Sequence, residues 1–296
     1  MRRSYLILFS VILLHSCKNQ EAKIPAYITV TDFKLQTNFS KEGSASSKIT
    51  TIWVEANNEE IGVFELPVTF PLIADGNTDL VITPGINLNG AQSYRNIYEF
   101  YEPFTRTYNI SPEQELTISS ANATGPVTEY VEDAEILILE DFEGAGTNFQ
   151  KTLKSEADLL LTSDANEIFK EAGLVEDNKK SGKVVMPNGN SLIEFESIQS
   201  YILPQYGSNV YLEVNYKCDV QVTFGVFVNE PGQRIQAPVV TVLPSEEWNK
   251  IYINLVTEVS AYPSANNFQI FFGAVNSDAN ANKTIFIDNL KLVYYP

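Results

Sequence analysis

The sequence predicts an all-β protein built from two successive sandwiches. Three observations carry that reading. Thr, Val, Ile, Tyr and Phe recur in short runs of strand length, separated by Gly, Pro, Asn and Asp turns. The chain is 296 residues long, 44% hydrophobic and 11% aromatic, which is enough for two packed cores and too apolar for disorder. A small, polar Pro/Gly stretch falls near the middle, where a linker would lie.

The N-terminus reads as a leader. Arg2 and Arg3 are followed by an apolar run from Tyr5 to Leu14 and then by His15-Ser16-Cys17. The run is about half the roughly 20 residues a membrane-spanning helix needs, so it reads as cleavable. Leu14-His15-Ser16-Cys17 resembles the Leu-x-small-Cys box of bacterial lipoprotein signals. That resemblance implies cleavage after residue 16, acyl chains on Cys17 and an outer-membrane location. Two or more chains hold a protein stably where one holds it marginally. Residues 17–23 are then a polar, lipidated tether, and its sequence leaves periplasmic and surface orientation both open.

Composition narrows the function classes. Lys and Arg number 20 against 37 Asp and Glu, a net −17. Loss of Arg2 and Arg3 takes this to 18 − 37 = −19. A chain so acidic repels phosphate backbones, so nucleic acid is not an expected partner and the lipid must do the membrane work. The only histidine, His15, lies in the leader. Ser/His/Asp and Cys/His nucleophile systems and histidine-built zinc sites are excluded from the mature chain. With Cys17 acylated, Cys218 has no intramolecular partner, and it continues the face Val210, Leu212, Val214, Tyr216 as a buried thiol.

Residues 24–119 contain strand-like runs at Tyr27 to Leu35, Ile49 to Ala56, Val63 to Leu66, Leu80 to Thr83 and Glu115 to Ser119. Asn57-Asn58 turns a hairpin, Pro67 and Pro71 mark edges, and Pro84-Gly85 reads as a turn. This block resembles immunoglobulin-like or transthyretin-like sandwiches. Its unusual piece is the run holding Tyr94, Tyr98, Phe100, Tyr101, Phe104 and Tyr108. Such aromatics serve either as a stacking site or as buried contact area. Residues 120–134 form the linker. Residues 135–296 supply runs at Ile136 to Phe142, Ser191 to Phe195, Val210 to Lys217, Val220 to Val228, Trp248 to Leu255, Phe268 to Ala274 and Ile285 to Tyr294. A short helix is predicted from Asp164 to Gly173.

Alternation sorts the second block. Ile251, Ile253 and Leu255 share one face of their strand, with Trp248, Lys250 and Tyr252 on the other. Tyr211, Glu213, Asn215 and Lys217 oppose an apolar set, and Gln221, Thr223 and Phe227 oppose Val220, Val222, Phe224 and Val228. Mixed polar and aromatic faces suit sugars, which need a ring to stack on and amides or carboxylates for their hydroxyls. Trp248 and Tyr252, with Glu213 and Asn215, are the preferred ligand platform; any solvated sheet face shares the pattern.

Glu140-Asp141-Phe142-Glu143-Gly144, Trp248 to Leu255 and Ile287-Asp288-Asn289-Leu290-Lys291-Leu292 resemble segments of galactose-binding-like jelly rolls, the fold of many carbohydrate-binding modules. With the leader, the whole resembles Bacteroidota-type envelope lipoproteins. The resemblance implies a jelly roll that binds glycan or protein, and a structural calcium near Asp141 and Asp288. Asp75 to Asp79 and Asp278 to Asn282 begin like calcium loops but lack the later Gly and Glu, and read as turns. No catalytic residues are assigned. The reading is a lipid-anchored, non-catalytic binding protein, with a structural or assembly lipoprotein, or a carboxylate-dependent glycan hydrolase, as alternatives.

Overall fold

A computed structural model describes residues 23–122, 125–171, 174 and 178–296. The leader, Cys17 and most of the tether lie outside these residues. The described chain is all-β, with only two single-turn helices, α1 (Phe39–Glu42) and α2 (Val256–Ser260).

In the first sandwich, β1 (Ala26–Val30) pairs antiparallel with β5 (Val68–Leu72) and parallel with β9 (Glu115–Ile118). Facing it are β3 (Thr51–Ala56), β4 (Glu59–Glu65), β6 (Gly76–Asn87), β7 (Arg95–Ile97) and β8 (Phe104–Ile110). The twelve-residue β6 carries β3 along one edge and β8, then β7, along the other. Inward Ile28, Val30, Ile52, Val54, Leu80 and Ile82 make the core, and Phe64 stacks on Phe70 at 4.8 Å across the two sheets. Asn57 and Asn58 have φ of 51° and 65° and turn β3 into β4, as their hairpin signal predicts.

Pro84-Gly85 is not a turn. Both residues lie inside β6, where Pro84 pairs with Ile52 and Gly85 with Thr51 and Ile97. The glycine is there for packing: a Cβ at residue 85 would sit 2.0 Å from the ring of Trp53.

The second sandwich stacks two sheets. One orders β13 (Leu159–Thr162), β14 (Ser181–Met186), β21 (Lys283–Tyr294), β16 (Val210–Cys218) and β19 (Ser245–Asn254), with β11 (Glu135–Glu140) also on β21. The other orders β12 (Phe149–Lys151), β15 (Ser191–Ser197), β20 (Asn267–Asn276), β17 (Val222–Glu230) and β18 (Gln233–Val242). Between them lie rows of apolar side chains: Leu212, Val214, Ile251, Ile253, Ile287 and Leu292 from the first, Ile193, Phe195, Phe224, Val226, Ile270 and Phe272 from the second. Cys218 is in this core, as its place in the alternation implies, and burial pushes its thiol pKa up.

Two expectations about local structure are corrected. Asp164 caps only one turn, accepting the Asn166 N–H at 2.9 Å, and the chain leaves it at Phe169, which is buried against Trp248; Gly173 lies outside the described residues. Of the stretch 120–134 read as a linker, residues 125–134 are built into the fold. Its β10 (Val127–Thr128) pairs in parallel with β2 (Lys34–Leu35), and Tyr130 is buried.

Candidate functional site

Each sheet of the second sandwich has an outer face, and the two have opposite fates. The face of β16, β19 and β21 carries Tyr211, Glu213, Asn215, Lys250, Tyr252, Lys291 and Val293. It is covered by the first sandwich and the 120–134 segment, whose Ile86, Tyr98, Phe100, Tyr101 and Tyr130 form one cluster with Tyr211, Tyr252 and Val293. The aromatic run that sequence alone leaves between site and contact is therefore largely contact: Tyr98, Phe100 and Tyr101 are buried, while Tyr94 is exposed.

The preferred ligand platform is thus an inter-domain interface. Glu213, Asn215 and Tyr252 are 0%, 2% and 1% exposed. Trp248, half-buried, packs edge-on to Phe169 at 5.4 Å and beside Phe286 at 6.4 Å. Strand alternation placed these residues on the correct side of their sheet; it carries no information about what docks there.

Charge at this interface is compensated. The Glu213 carboxylate accepts hydrogen bonds from the hydroxyls of Tyr98 at 2.8 Å and Tyr130 at 2.9 Å, and its other oxygen is 2.8 Å from the Lys250 ammonium. Burial pushes the Glu213 pKa up, but Lys250, Lys291 and these hydrogen bonds outweigh it and hold the carboxyl below the usual range. Lys291 donates to the Ser44 carbonyl. The Asn215 amide donates to Ser46 at 2.9 Å, and Ser46 donates to Glu171 at 2.7 Å. Such a network positions two domains; it offers a ligand nothing.

Asp141 and Asp288, the two acids expected at a structural calcium, each accept hydrogen bonds within the protein. Asp288 is fully buried and surrounded by donors: the Asn178 amide at 2.9 Å, the Ser181 hydroxyl, and the Asn289 N–H at 2.8 Å. Burial, only partly offset by those bonds, raises its pKa to about 7. Asp141 accepts the N–H of Glu143 at 3.1 Å. Among the described residues no group of three or more His, Cys, Asp or Glu is placed to hold a metal ion. A cavity of about 120 Å³, large enough for water, lies beside Asp141 and Asn289. In the loop at Asp278, the carboxylate accepts the N–H groups of Asn280 and Ala281, so this is a turn, as its broken calcium pattern predicts.

Among the described residues, no other sheet lies on the outer face of β12, β15, β20, β17 and β18. Cross-strand register sets Glu194 beside Gly273, and Gly273 beside Thr223; one step along, Glu196, Phe271, Gly225 and Pro238 form the next row. Gln269, Phe227 and Gln236 form a third. Five strands at about 4.8 Å spacing make this face about 19 Å wide. Two adjoining grooves run over it, of about 670 and 500 Å³, sharing Lys154, Glu194 and Gln236.

Its walls are polar, and the phenyl rings beneath them are buried, Phe227 5% and Phe271 2% exposed. Phe227 and Phe271 lie 4.9 Å apart, and the Arg234 guanidinium stacks 4.0 Å above the Phe227 ring. Glu194 accepts from Thr152 at 2.8 Å, Gln236 at 2.7 Å and Lys154 at 3.2 Å. Glu196 accepts from Gln150 at 3.0 Å and from Arg234. Thr223 and Thr241 share a hydrogen bond of 2.8 Å. Sequence reasoning sorted Gln221, Thr223 and Phe227 onto one face correctly and preferred the other sheet as the platform. It missed Glu194, Glu196, Arg234, Gln236 and Phe271, although Leu192, Glu194 and Glu196 alternate with the inward Ile193 and Phe195 in the same way.

The chain matches no protein-family model and no curated protein. Among solved structures, a carbohydrate-binding module of the beta-sandwich superfamily, studied for promiscuous specificity, is 13% identical over 83% of this chain and 85% of its own, with a TM-score of 0.40. The xylan-binding CBM22-1 domain of Paenibacillus barcinonensis Xyn10C is 11% identical over 56% of this chain and 97% of its own, with a TM-score of 0.40. A family 11 carbohydrate-binding module from Clostridium thermocellum, in complex with a mixed-linked tetrasaccharide, is 12% identical over 53% and 94%, with a TM-score of 0.36.

Proposed function

We propose that this chain is a non-catalytic glycan-binding protein whose site is the open face of the second sandwich, held at the outer membrane by acyl chains on Cys17. One observation carries the reading. The open face presents a groove with ordered amide, hydroxyl and charged walls over buried Phe227 and Phe271, while the other sheet face is consumed by the first sandwich. Convergent amide, hydroxyl and charged groups along an open groove are what a sugar's hydroxyl rim requires.

A hydrolase would need a carboxylate pair on either side of a scissile bond. Glu194 and Glu196 are two residues apart on one face, about 7 Å. Both are held by a cation and an amide within the protein, an arrangement that positions side chains and leaves no carboxyl directed at a substrate. The reading is therefore binding without turnover, and incubation with polysaccharide should release no reducing sugar.

The direct test is affinity electrophoresis through gels cast with a panel of soluble polysaccharides. Retardation by at least one polysaccharide should be lost in Gln236→Ala and kept in Tyr252→Phe, which lies in the interface. The opposite result, or no retardation by any of them, overturns the assignment. Anchoring is tested separately: mass spectrometry of the N-terminal peptide should find an acylated Cys17, and an unmodified chain beginning elsewhere excludes it.

A further inference from the structure

The open face is built asymmetrically in charge. Its two carboxylates are covered, with Glu194 and Glu196 side chains 7% and 10% exposed, while their partners Lys154 and Arg234 are 59% and 40% exposed. Every oxygen of the two carboxylates accepts from a protein donor: Thr152, Gln236 and Lys154 on Glu194, Gln150 and Arg234 on Glu196. What faces the groove is donor capacity. An ammonium carries three N–H groups and a guanidinium five. Lys154 gives one bond to Glu194, and Arg234 uses Nη2 for both Glu196 and Gln269, which leaves Nε and Nη1.

Formal charge here is balanced once Asp158 is counted with Lys151, and the difference lies in exposure. The groove over Phe227 is lined by three cations, Lys151, Lys154 and Arg234, and two carboxylates, Glu194 and Glu196, in a chain whose net charge is −17. All three cations are ion-paired, but Asp158 beside Lys151 is 64% exposed whereas Glu194 and Glu196 are covered, so Lys154 and Arg234 are the cations that face a ligand without an exposed carboxylate beside them. Distant acidic residues weaken little of this, since exposed charges are screened beyond about 8 Å at physiological ionic strength. The stack of Arg234 on Phe227 and its bonds to Glu196 and Gln269 fix the guanidinium plane, which pre-organises the fork for a planar anion.

We infer that the groove selects an anionic glycan, one whose sugars carry carboxylates, with Arg234 and Lys154 reading the carboxylate and Glu194 and Glu196 holding those cations in place. This rests on the glycan-binding reading above and adds the ligand's charge class to it. The experiment measures the full chain by calorimetry against three probes: oligogalacturonate, its methyl ester and a neutral cello-oligosaccharide. Oligogalacturonate should bind at least ten-fold more tightly than its ester, with affinity falling several-fold as salt rises from about 0.05 to about 0.5 M. Arg234→Gln and Lys154→Gln should each remove most of that preference, and because they lie on different segments, misfolding of one leaves the other informative. Equal affinity for acid and ester, or tighter binding of the neutral probe, overturns the charge assignment while leaving the glycan-binding reading intact. Binding of none of the three overturns the charge assignment, and the wider polysaccharide panel then decides the binding reading itself. A sulfated polysaccharide, run as a fourth arm, separates the two anion sources: binding as tight as that of oligogalacturonate, and equally weakened in Arg234→Gln, overturns carboxylate selection.

Discussion

Glu213 shows what a single side chain does in this molecule. Its carboxylate sits in the contact between the two sandwiches and is satisfied from both domains, by Lys250 in its own sandwich and by Tyr98 and Tyr130 from beyond it. Removing one partner of such a buried pair leaves the other charge without compensation, at about 3–5 kcal/mol. Glu213→Ala should therefore lower unfolding free energy by about that amount without touching glycan binding per folded molecule. A loss under about 1 kcal/mol in denaturant titration would show the pair to be solvated. Asp288 makes a different prediction. Its folded pKa of about 7 lies above the ordinary 3.8 because burial disfavours its charge. The folded state therefore holds a proton that the unfolded state has lost, so stability from this group is complete below about pH 4 and falls as pH rises toward about 7. The stability of wild type relative to Asp288→Asn should decline across that window, and a flat difference would reject the assignment. At Gly85 the constraint is steric. Gly85→Ala should destabilise by about 1–3 kcal/mol, read as a lower urea midpoint, because the added carbon falls 2.0 Å from the Trp53 ring.

At the scale of elements, the alternation along β16 and β19 makes two unlike faces, and both are buried. The inward face packs aliphatic side chains against the partner sheet, and the outward face packs tyrosines against another domain. Tyr98, Tyr101, Tyr130 and Tyr252 have pKa values raised by burial first and by Glu213 next. Their folded values exceed their unfolded ones, so the stability they contribute is intact below about pH 10 and lost as pH rises above it. Tyrosinate absorbance from these residues should appear together with loss of near-ultraviolet circular dichroism above that pH. Ordinary titration of all tyrosines in a still-folded protein would contradict the burial. The segment 120–134 belongs to this interface because β10 adds to β2, Tyr130 bonds Glu213, and Tyr101 bridges Tyr130.

For the whole molecule, the interface predicts one unfolding transition where two sandwiches joined by a free linker would give two. Leu88 bridges to Tyr252, the Asn89 side chain accepts the Asn254 N–H at 2.8 Å, and Lys48 donates its backbone N–H to the Tyr252 hydroxyl at 2.9 Å, so the contact is polar as well as apolar. Calorimetry should show a single endotherm whose van't Hoff and calorimetric enthalpies agree, and two resolved transitions would mean independent domains. A fixed pair of sandwiches also has a functional consequence: it leaves the second domain one broad sheet face to offer, the groove over Phe227 and Phe271.

Local sequence determined much of this. Period-two alternation sorted Ile251 from Tyr252 and Thr223 from Phe224 correctly, the Asn57-Asn58 turn stands where two residues with positive φ are needed, and the β class follows from composition. These are properties of a strand and its nearest neighbours, where backbone geometry alone decides the direction of each side chain. Tertiary structure decided everything that depends on a partner distant in the chain. Whether Tyr252 and Glu213 meet a ligand or a second domain turns on Tyr98 and Tyr130, which lie 115 and 83 residues from Glu213. Pro84-Gly85 spells a turn until Trp53 claims the space above it. The charge sense of the open face appears only when Glu194 and Glu196 are covered by Lys154 and Arg234, because exposure is a property of the folded surface and strand pattern gives only its side.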